Sequence, residues 1–599
     1  MSFSGKTWIL LFTLLIATIN PLPCSSSTNA EKVYSTNLYL LAVDGEGKGL
    51  VVKVDLNVYY PGRGNIVVVV EEGYVAEDTR MSIEYAVKIA SMLSGVNYAF
   101  YDYEFVFPEK AELRGASATL AFVLGLLAFF TGNQPANRTG VTGIVSPNAM
   151  VGLVEGLTEK YSAGLEYGLD SIIGPPSQEM LGKTRYTAII DVFSAYRLYT
   201  GNSLYHLMDI NSSYASVLRK KLCTVFKSSY SFFRDKAYSI IARFREKASV
   251  YNGSLGYRYV ILADKYAKGN KWYTAATYAF RSYIELYRLY LYELNRTGSL
   301  SILLEEEARL REEVKQELQR TKQLLDKAVQ RVNNLWSLDA LLNSYVRYTT
   351  ALQMYREGEA TEDLALRAEI YGLALARAYT AEHWLLITNI TLSDTRTFSA
   401  VDYNIANNIL RDALLSSIDY YHSLGILGES KREEYYSVVE RAADTPTRLF
   451  INYTLQYHDL SLITEMLSPP IFSQFLSVDL IENLNRSFTE VVEHIYSLTG
   501  TLPPSTLTLA ELTSTYMAEN ESLEVIGSLY ARALSLLIPQ LVLAQARSYI
   551  EVCEALCKEA VTVTTTLPLE GYAEIAVILA IVLIGVGSFL AGYSLKKHY

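Results

Sequence analysis

Between Pro176 and Pro446 the chain contains no proline. Proline inside a helix removes a backbone hydrogen bond and clashes with the preceding turn. A long stretch without it, dense in Leu, Ala, Tyr, Arg and Glu, therefore allows and favours long uninterrupted helices. Residues 177–560 are expected to form a large all-α domain, an irregular helical array. Leu303, Leu310, Val314, Leu318, Leu325, Val332 and Leu335 recur at threes, fours and sevens with charges between, the spacing of a coiled-coil-like hairpin arm. Tyr266 to Asn270, followed by Tyr273, Ala275, Ala276 and Ala279, suggests one tetratricopeptide-like helix pair, but no steady repeat follows. Pro469-Pro470 and Pro503-Pro504 divide the later helices.

Residues 31–176 have a different character. Leu38–Val43, Leu50–Tyr60 and Asn65–Glu72 are rich in Val, Leu and Tyr and separated by glycines, which predicts strands and turns. Met81–Leu93 and Ala118–Phe130 carry helical apolar spacing. This part is expected to be an α+β or α/β domain. Asp44 to Gly49 resembles a phosphate loop only superficially, since Gly49 follows Lys48 where Ser or Thr is required, and a hairpin turn is the better reading.

The two ends explain an apolar content of 50%. Residues 1–30 place Lys6 before an apolar run from Trp8 to Ile19 and a small polar stretch, the pattern of a secretory signal peptide. Residues 575–595 begin with an uncharged run from Ile575 to Tyr593, long enough to cross a bilayer as a transmembrane helix. Lys596 and Lys597 follow it, which predicts a single-pass cell-membrane protein with an extracellular body and a short cytoplasmic C-terminal tail. Residues 561–574, with four threonines and a proline, read as a stalk. Eight Asn-x-Ser/Thr sequons, at Asn137, Asn211, Asn252, Asn295, Asn389, Asn452, Asn485 and Asn520, fit an exported body. Cys223 is remote from Cys553 and Cys557, and a disulfide to either is left open. A net charge of −10 without a basic tract argues against a nucleic-acid partner.

The six histidines are His206, His383, His422, His458, His494 and His598, so a Ser-His-Asp triad cannot be built within residues 31–176. There is no His-Glu-x-x-His zinc helix, and no metal or cofactor is expected. What remains is Gly115-Ala116-Ser117-Ala118, a small-residue turn opening an apolar helix. A serine at a helix N-terminus faces free N–H groups and the positive end of the dipole, as an oxyanion requires. The same serine also suits a plain N-cap.

In order and spacing, the segments around this turn resemble the proteolytic domain of the Lon-type serine peptidases. Pro61-Gly62-Arg63-Gly64 looks like that family's Pro-Gly-Lys-Gly turn. Phe105 to Pro108 leading into Gly115-Ala116-Ser117-Ala118 is similar to its strand, proline and Gly-Pro-Ser-Ala turn. Thr142-Gly143 resembles its Thr-Gly-Glu strand start. Gly156 to Lys160, then Ala163, Gly168 and Ser171 to Pro175, looks like its Gly-Gly-Leu-x-x-Lys helix and following strand. The interval of 43 residues from Ser117 to Lys160 suits its Ser–Lys pair. Arg114, Ala116 and Glu155 depart from the family pattern, and no ATPase module is present.

The readings together give a multidomain chain: the α+β Lon-like peptidase domain that the resemblance implies, then the large all-α domain and the C-terminal transmembrane helix read above, the whole resembling an archaeal-type secreted or membrane-anchored relative. It implies Ser117 as nucleophile, Lys160 as general base and Thr142 positioning the amine. A lysine of ordinary pKa cannot accept a proton at neutral pH, so its site must be apolar, which Val151, Leu153, Val154 and Leu157 can provide. The expected activity is ATP-independent endoproteolysis of peptides or unfolded proteins. Homo-oligomeric assembly is left open. The alternative is a peptidase fold without activity, serving as a cell-surface adaptor. An esterase of the α/β-hydrolase type is disfavoured by the helical character after Pro176.

Overall fold

The computed structural model describes residues 30–566 apart from 72, 108–110, 114, 136–137, 207, 209, 211, 245–247, 393–394 and 468–475. The expected signal peptide and the transmembrane segment 575–595 lie outside the described residues, as do Arg114, Asn137, Asn211 and His598.

An N-terminal α/β region with a mixed sheet is followed by a large helical region. The first hairpin pairs β1 (Glu31–Val43) with β2 (Gly49–Tyr60) antiparallel. Its turn is held by Asp44, whose Oδ1 accepts the N–H of Glu46 at 3.0 Å and of Lys48 at 2.8 Å, so the phosphate-loop-like segment is indeed a hairpin turn. Then come β3 (Ile66–Val70), β4 (Gly73–Val75), helix α1 (Glu77–Ser94), β5 (Asp102–Phe107), β6 (Ala111–Leu113) and α2 (Thr119–Thr131). β7 (Thr139–Val141), β8 (Ile144–Val145), β9 (Val151–Gly152), α3 (Leu157–Glu166), β10 (Ser171–Gly174) and β11 (Tyr186–Ala188) complete the region.

The seven-stranded sheet has the order β11-β10-β7-β1-β2-β5-β3. β1–β2 and β2–β5 are antiparallel and the other neighbours parallel. β1 decides which helix covers which face, because successive side chains on a strand point to opposite sides. Leu38 and Leu40 join the main core, and Leu38 lies against Gly125 of α2. Leu41 joins a second, smaller cluster with Leu157 and Tyr161 of α3. The sheet extends beyond Pro176, the expected end of this part, because β11 pairs with β10 at Ile172–Tyr186 and its neighbours.

Helix α4 (Val192–Thr200) leads into α5 (Ser212–Arg243), α6 (Ala248–Tyr251), α7 (Leu255–Lys268), α8 (Trp272–Arg296), α9 (Leu300–Val329), α10 (Leu335–Ala360) and α11 (Leu364–Leu385). After these come α12 (Ala400–Ser423), α13 (Glu429–Glu440), α14 (Pro446–Leu467), α15 (Val478–Thr499), α16 (Pro504–Ala518) and α17 (Leu523–Thr566). The helix pair expected around Tyr266–Ala279 forms as α7 and α8. The apolar stripe of α9 is buried against its neighbours. Leu303, Leu310, Val314, Leu318 and Leu325 are buried, and α9 is clamped to its neighbours by Arg367–Glu307 at 2.9 Å, Arg311–Glu359 at 2.6 Å and Arg320–Glu382 at 3.1 Å. A heptad-like spacing states which face is buried, and here the burying partners are α10 and α11.

Within α17, Leu523–Ile550 is long and apolar enough to cross a membrane by length and composition. Yet 72% of its most apolar window is buried inside the protein, the surroundings that make an apolar face all round favourable. The same helix continues through residues 561–566, into the segment expected to be a stalk. Cys223 is a free, half-buried thiol.

The helical region packs directly on the α/β region, and one continuous apolar cluster runs through both. Tyr420 of α12 stacks on Tyr85 of α1 with ring centroids 4.4 Å apart. Tyr421 Oη donates to Val145 O at 2.8 Å, Asn148 Nδ2 to Ala531 O at 3.0 Å, and Tyr457 to Pro147 O.

Candidate active site

The turn expected to carry the nucleophile lies between β6 and α2. Gly115 adopts φ +95°, a left-handed conformation in which a side chain would be strained. Its N–H donates to Asp78 Oδ2 at 2.8 Å, which ties the turn to the start of α1. Ala116 O accepts both the N–H and the hydroxyl of Thr119, at 3.0 and 2.7 Å. The N-cap of α2 is Ala118, without a side-chain capping bond, so Ser117 does not serve as a cap. Ser117 is half-buried, and its hydroxyl has no hydrogen-bond partner among the described residues.

Thr142 and Gly143 follow β7, and backbone pairing locks them against the turn. Gly143 N–H donates to Ser117 O at 2.7 Å, and Leu120 N–H donates to Gly143 O at 3.1 Å. A side chain at Gly143 would meet Val151 Cγ1 at 2.8 Å and Leu120 Cδ2 at 3.1 Å, so glycine permits this close approach. Thr142 N–H donates to Ile173 O at 3.0 Å, which fixes its side chain toward the turn. With Thr119 and Leu120 N–H groups occupied, those of Ser117 and Ala118 are left without an acceptor among the described residues.

Lys160 reaches the same place from α3, on the other face of the sheet. Gly49 of β2 lets α3 sit close, since a Cβ there would lie 2.0 Å from Glu159 O. Lys160 is only 4% exposed. Its amine donates to Thr142 Oγ1 at 3.5 Å, and Thr142 Oγ1 donates to Ser117 O at 3.2 Å. Burial lowers the Lys160 ammonium from 10.5 to about 8, against a smaller opposing pull from Glu155.

Ser117, Thr142 and Lys160 are therefore brought together, with Thr142 as the link. Ser117 Oγ and Lys160 Nζ share no direct hydrogen bond among the described residues. Two participants carry no local signal in the sequence. Asp78 anchors Gly115, and Tyr420 Oη lies 2.8 Å from Thr119 Oγ1, so a helix of the second region supports the turn from behind. The only trace of Asp78 is its place in the acidic first turn of α1. Two histidines of the helical region are engaged elsewhere: His458 with Ser535 at 2.5 Å and His422 with Leu427 O at 2.9 Å. Among the described residues no cluster of three His, Cys, Asp or Glu could hold a metal ion.

No protein-family model matches the chain, and no curated protein matches it in sequence.

Proposed function

We propose that the protein is an ATP-independent serine endopeptidase of Lon-like type, with Ser117 as nucleophile and Lys160 as general base. The observation that carries this reading is a buried lysine amine, lowered to about 8 and joined through one threonine hydroxyl to the backbone of an uncapped serine at a helix N-terminus. Buried amines of lowered pKa are rare outside functional sites, because an ordinary lysine gains by reaching water.

The chemistry follows from the groups. Rotation of Ser117 about χ1 turns Oγ toward the neutral Lys160 amine. The amine takes the hydroxyl proton as Oγ attacks a peptide carbonyl, and it gives that proton to the leaving amine as the tetrahedral adduct collapses, the C–N bond breaking and the ester Oγ–C(=O) remaining on Ser117. The Ser117 and Ala118 N–H groups, at the positive end of α2, are the donors available to the oxyanion. Water, deprotonated by the same amine, cleaves the ester and restores Ser117. Thr142 holds the amine between these steps.

The body is proposed to lie outside the cytoplasm, anchored by residues 575–595. In support, Asn252, Asn295, Asn389, Asn485 and Asn520 of the sequons are exposed. A second reading, an inactive peptidase fold acting as an adaptor, is favoured by the missing Ser117–Lys160 hydrogen bond. Hydrolysis of casein without ATP separates the two. The peptidase reading requires cleavage by the parent and its loss in Ser117→Ala and Lys160→Met with unchanged helical circular dichroism. Equal cleavage by parent and variants, or none by the parent, overturns the peptidase reading and makes the adaptor reading the better one.

A further inference from the structure

The helical region encloses a cavity of about 670 Å³, lined by α5, α8, α10, α11, α14, α16 and α17 and by no residue of the α/β region. Its charge is one-sided. Arg281, Arg347, Arg377 and Arg532 line it, with His383 and His458, and among the described residues no Asp or Glu does. This occurs in a chain with 63 acidic against 53 basic residues, so composition alone would predict the reverse.

Among the described residues one of the four guanidiniums has a carboxylate partner. Arg281 pairs with Glu521 at 3.2 Å and donates to Tyr259 Oη at 2.5 Å. Arg347 donates to Asn343 O at 2.7 Å and lies over the Trp384 ring at 4.5 Å. Arg377 lies over the Phe280 ring at 5.0 Å. Neither Arg347, Arg377 nor Arg532 has a carboxylate partner among the described residues. The acid acting on Arg347 from a distance is Asp339, whose oxygens are occupied by Ser505 N–H and Oγ, both at 2.8 Å, and by Gln540 Nε2 at 3.0 Å.

The three guanidiniums also feel one another. Burial, then Arg347 and Arg532, lower Arg377 to about 10. Burial, then Arg532 and Arg347, lower His458 to about 4, so the histidine stays neutral beside them. Like charges gathered in a poorly solvated place without a counter-charge destabilise the fold unless something else supplies it. Guanidinium forks match carboxylate and phosphate oxygens in particular. The remaining wall is apolar and aromatic, from Phe226, Phe233, Trp384 and Leu509. Its volume lies within the range that holds a small organic ligand.

We infer that this cavity is a binding site for a small organic anion, its phosphate or carboxylate head on Arg347, Arg377 and Arg532 and its apolar body against Phe226, Phe233 and Trp384. Arg532 is exposed and stands at the mouth, while Arg347 and Arg377 are partly covered. The site is separate from Ser117 in residues and in helices, and it stands whether or not the chain is a peptidase.

Isothermal titration calorimetry of the full-length protein tests this with 2-naphthyl phosphate and 2-naphthoate, against 2-naphthol and inorganic phosphate. At least one naphthyl anion is expected to bind one per chain, about tenfold or more tighter than both 2-naphthol and inorganic phosphate. The tighter anion identifies the head group. Arg377→Met should weaken that binding by about tenfold to a hundredfold and raise the thermal midpoint of the ligand-free protein, because it removes an unpaired, partly buried charge. Arg532→Gln, at the exposed mouth, should weaken binding in the same direction and covers the case in which the Arg377 variant does not fold. The inference is overturned by 2-naphthol binding as tightly as the anions, by inorganic phosphate matching 2-naphthyl phosphate, by undiminished affinity in the variants, or by no binding of either anion at millimolar concentration.

Discussion

Lys160 sets a quantitative expectation for how fast Ser117 reacts as pH changes. Burial lowers its ammonium to about 8, and only the neutral amine can take the Ser117 proton. The neutral fraction is then about 1% at pH 6, about 10% at pH 7 and about 90% at pH 9, after which it levels off. For an unburied lysine near 10.4 the fraction at pH 7 would be smaller by more than about a hundredfold, and it would rise about tenfold per pH step up to about pH 9 and level off only above about pH 11. A fluorophosphonate that acylates activated serines reads this directly, with the labelled site mapped to Ser117 by mass spectrometry. The labelling rate is expected to rise with pH, reach half its plateau near about pH 8 and stay flat above about pH 9. Glu155→Gln should move the midpoint to lower pH, because Glu155 favours the charged amine. Labelling that still climbs several-fold between about pH 9 and pH 10, or that persists in Lys160→Met, would refute the assignment of Lys160 as base.

Three further outcomes follow from the same geometry. An ammonium lowered from 10.5 to about 8 by folding opposes folding by about 3 kcal/mol at all pH values below its folded pKa; the unfolded chain binds the extra proton between the two values, so the penalty lifts as pH rises from about 8 to 10.5. Lys160→Met should therefore raise the urea midpoint at neutral pH, with a gain that shrinks toward pH 10; a gain independent of pH contradicts it. Thr142→Val keeps the shape and removes the hydroxyl joining Lys160 to the Ser117 carbonyl, so labelling should slow by about tenfold or more while Thr142→Ser restores it. Gly49→Ala would set a methyl 2.0 Å from Glu159 O and push α3 off the sheet; a loss of about 2 kcal/mol or more together with slower labelling is expected, and unchanged labelling would mean that α3 does not depend on this contact.

Much of the fold was legible because the signals that specify it are local. The proline-free run points to helices, the Leu- and Val-rich run Leu38–Val43 bounded by glycines points to β1, and Asp44 with its glycines points to the turn that forms. The limits of these elements were less so. β1 begins at Glu31 because the exposed residues before Leu38 gain their bonds from β2, and β11 lies past Pro176 because β10 offers it an edge. The coiled-coil-like stripe of α9 marks a buried face, while its partners α10 and α11 are not written in it, since periodicity records that a face is covered without recording by what.

The order of glycines, serine and lysine along the chain was determined by sequence alone, as was the small-residue turn at a helix start. Tertiary structure decided what those groups can do. Whether Lys160 is depressed depends on how completely water is excluded around it, and whether Thr142 links it to Ser117 depends on a strand end meeting a turn across the sheet. Tyr420 supports that turn from 301 residues away along the chain, and the arginines of the helical cavity come from four helices whose sequences carry ordinary helix charges. Burial and proximity of charges are properties of packing between distant segments, and they cannot be read from any segment by itself.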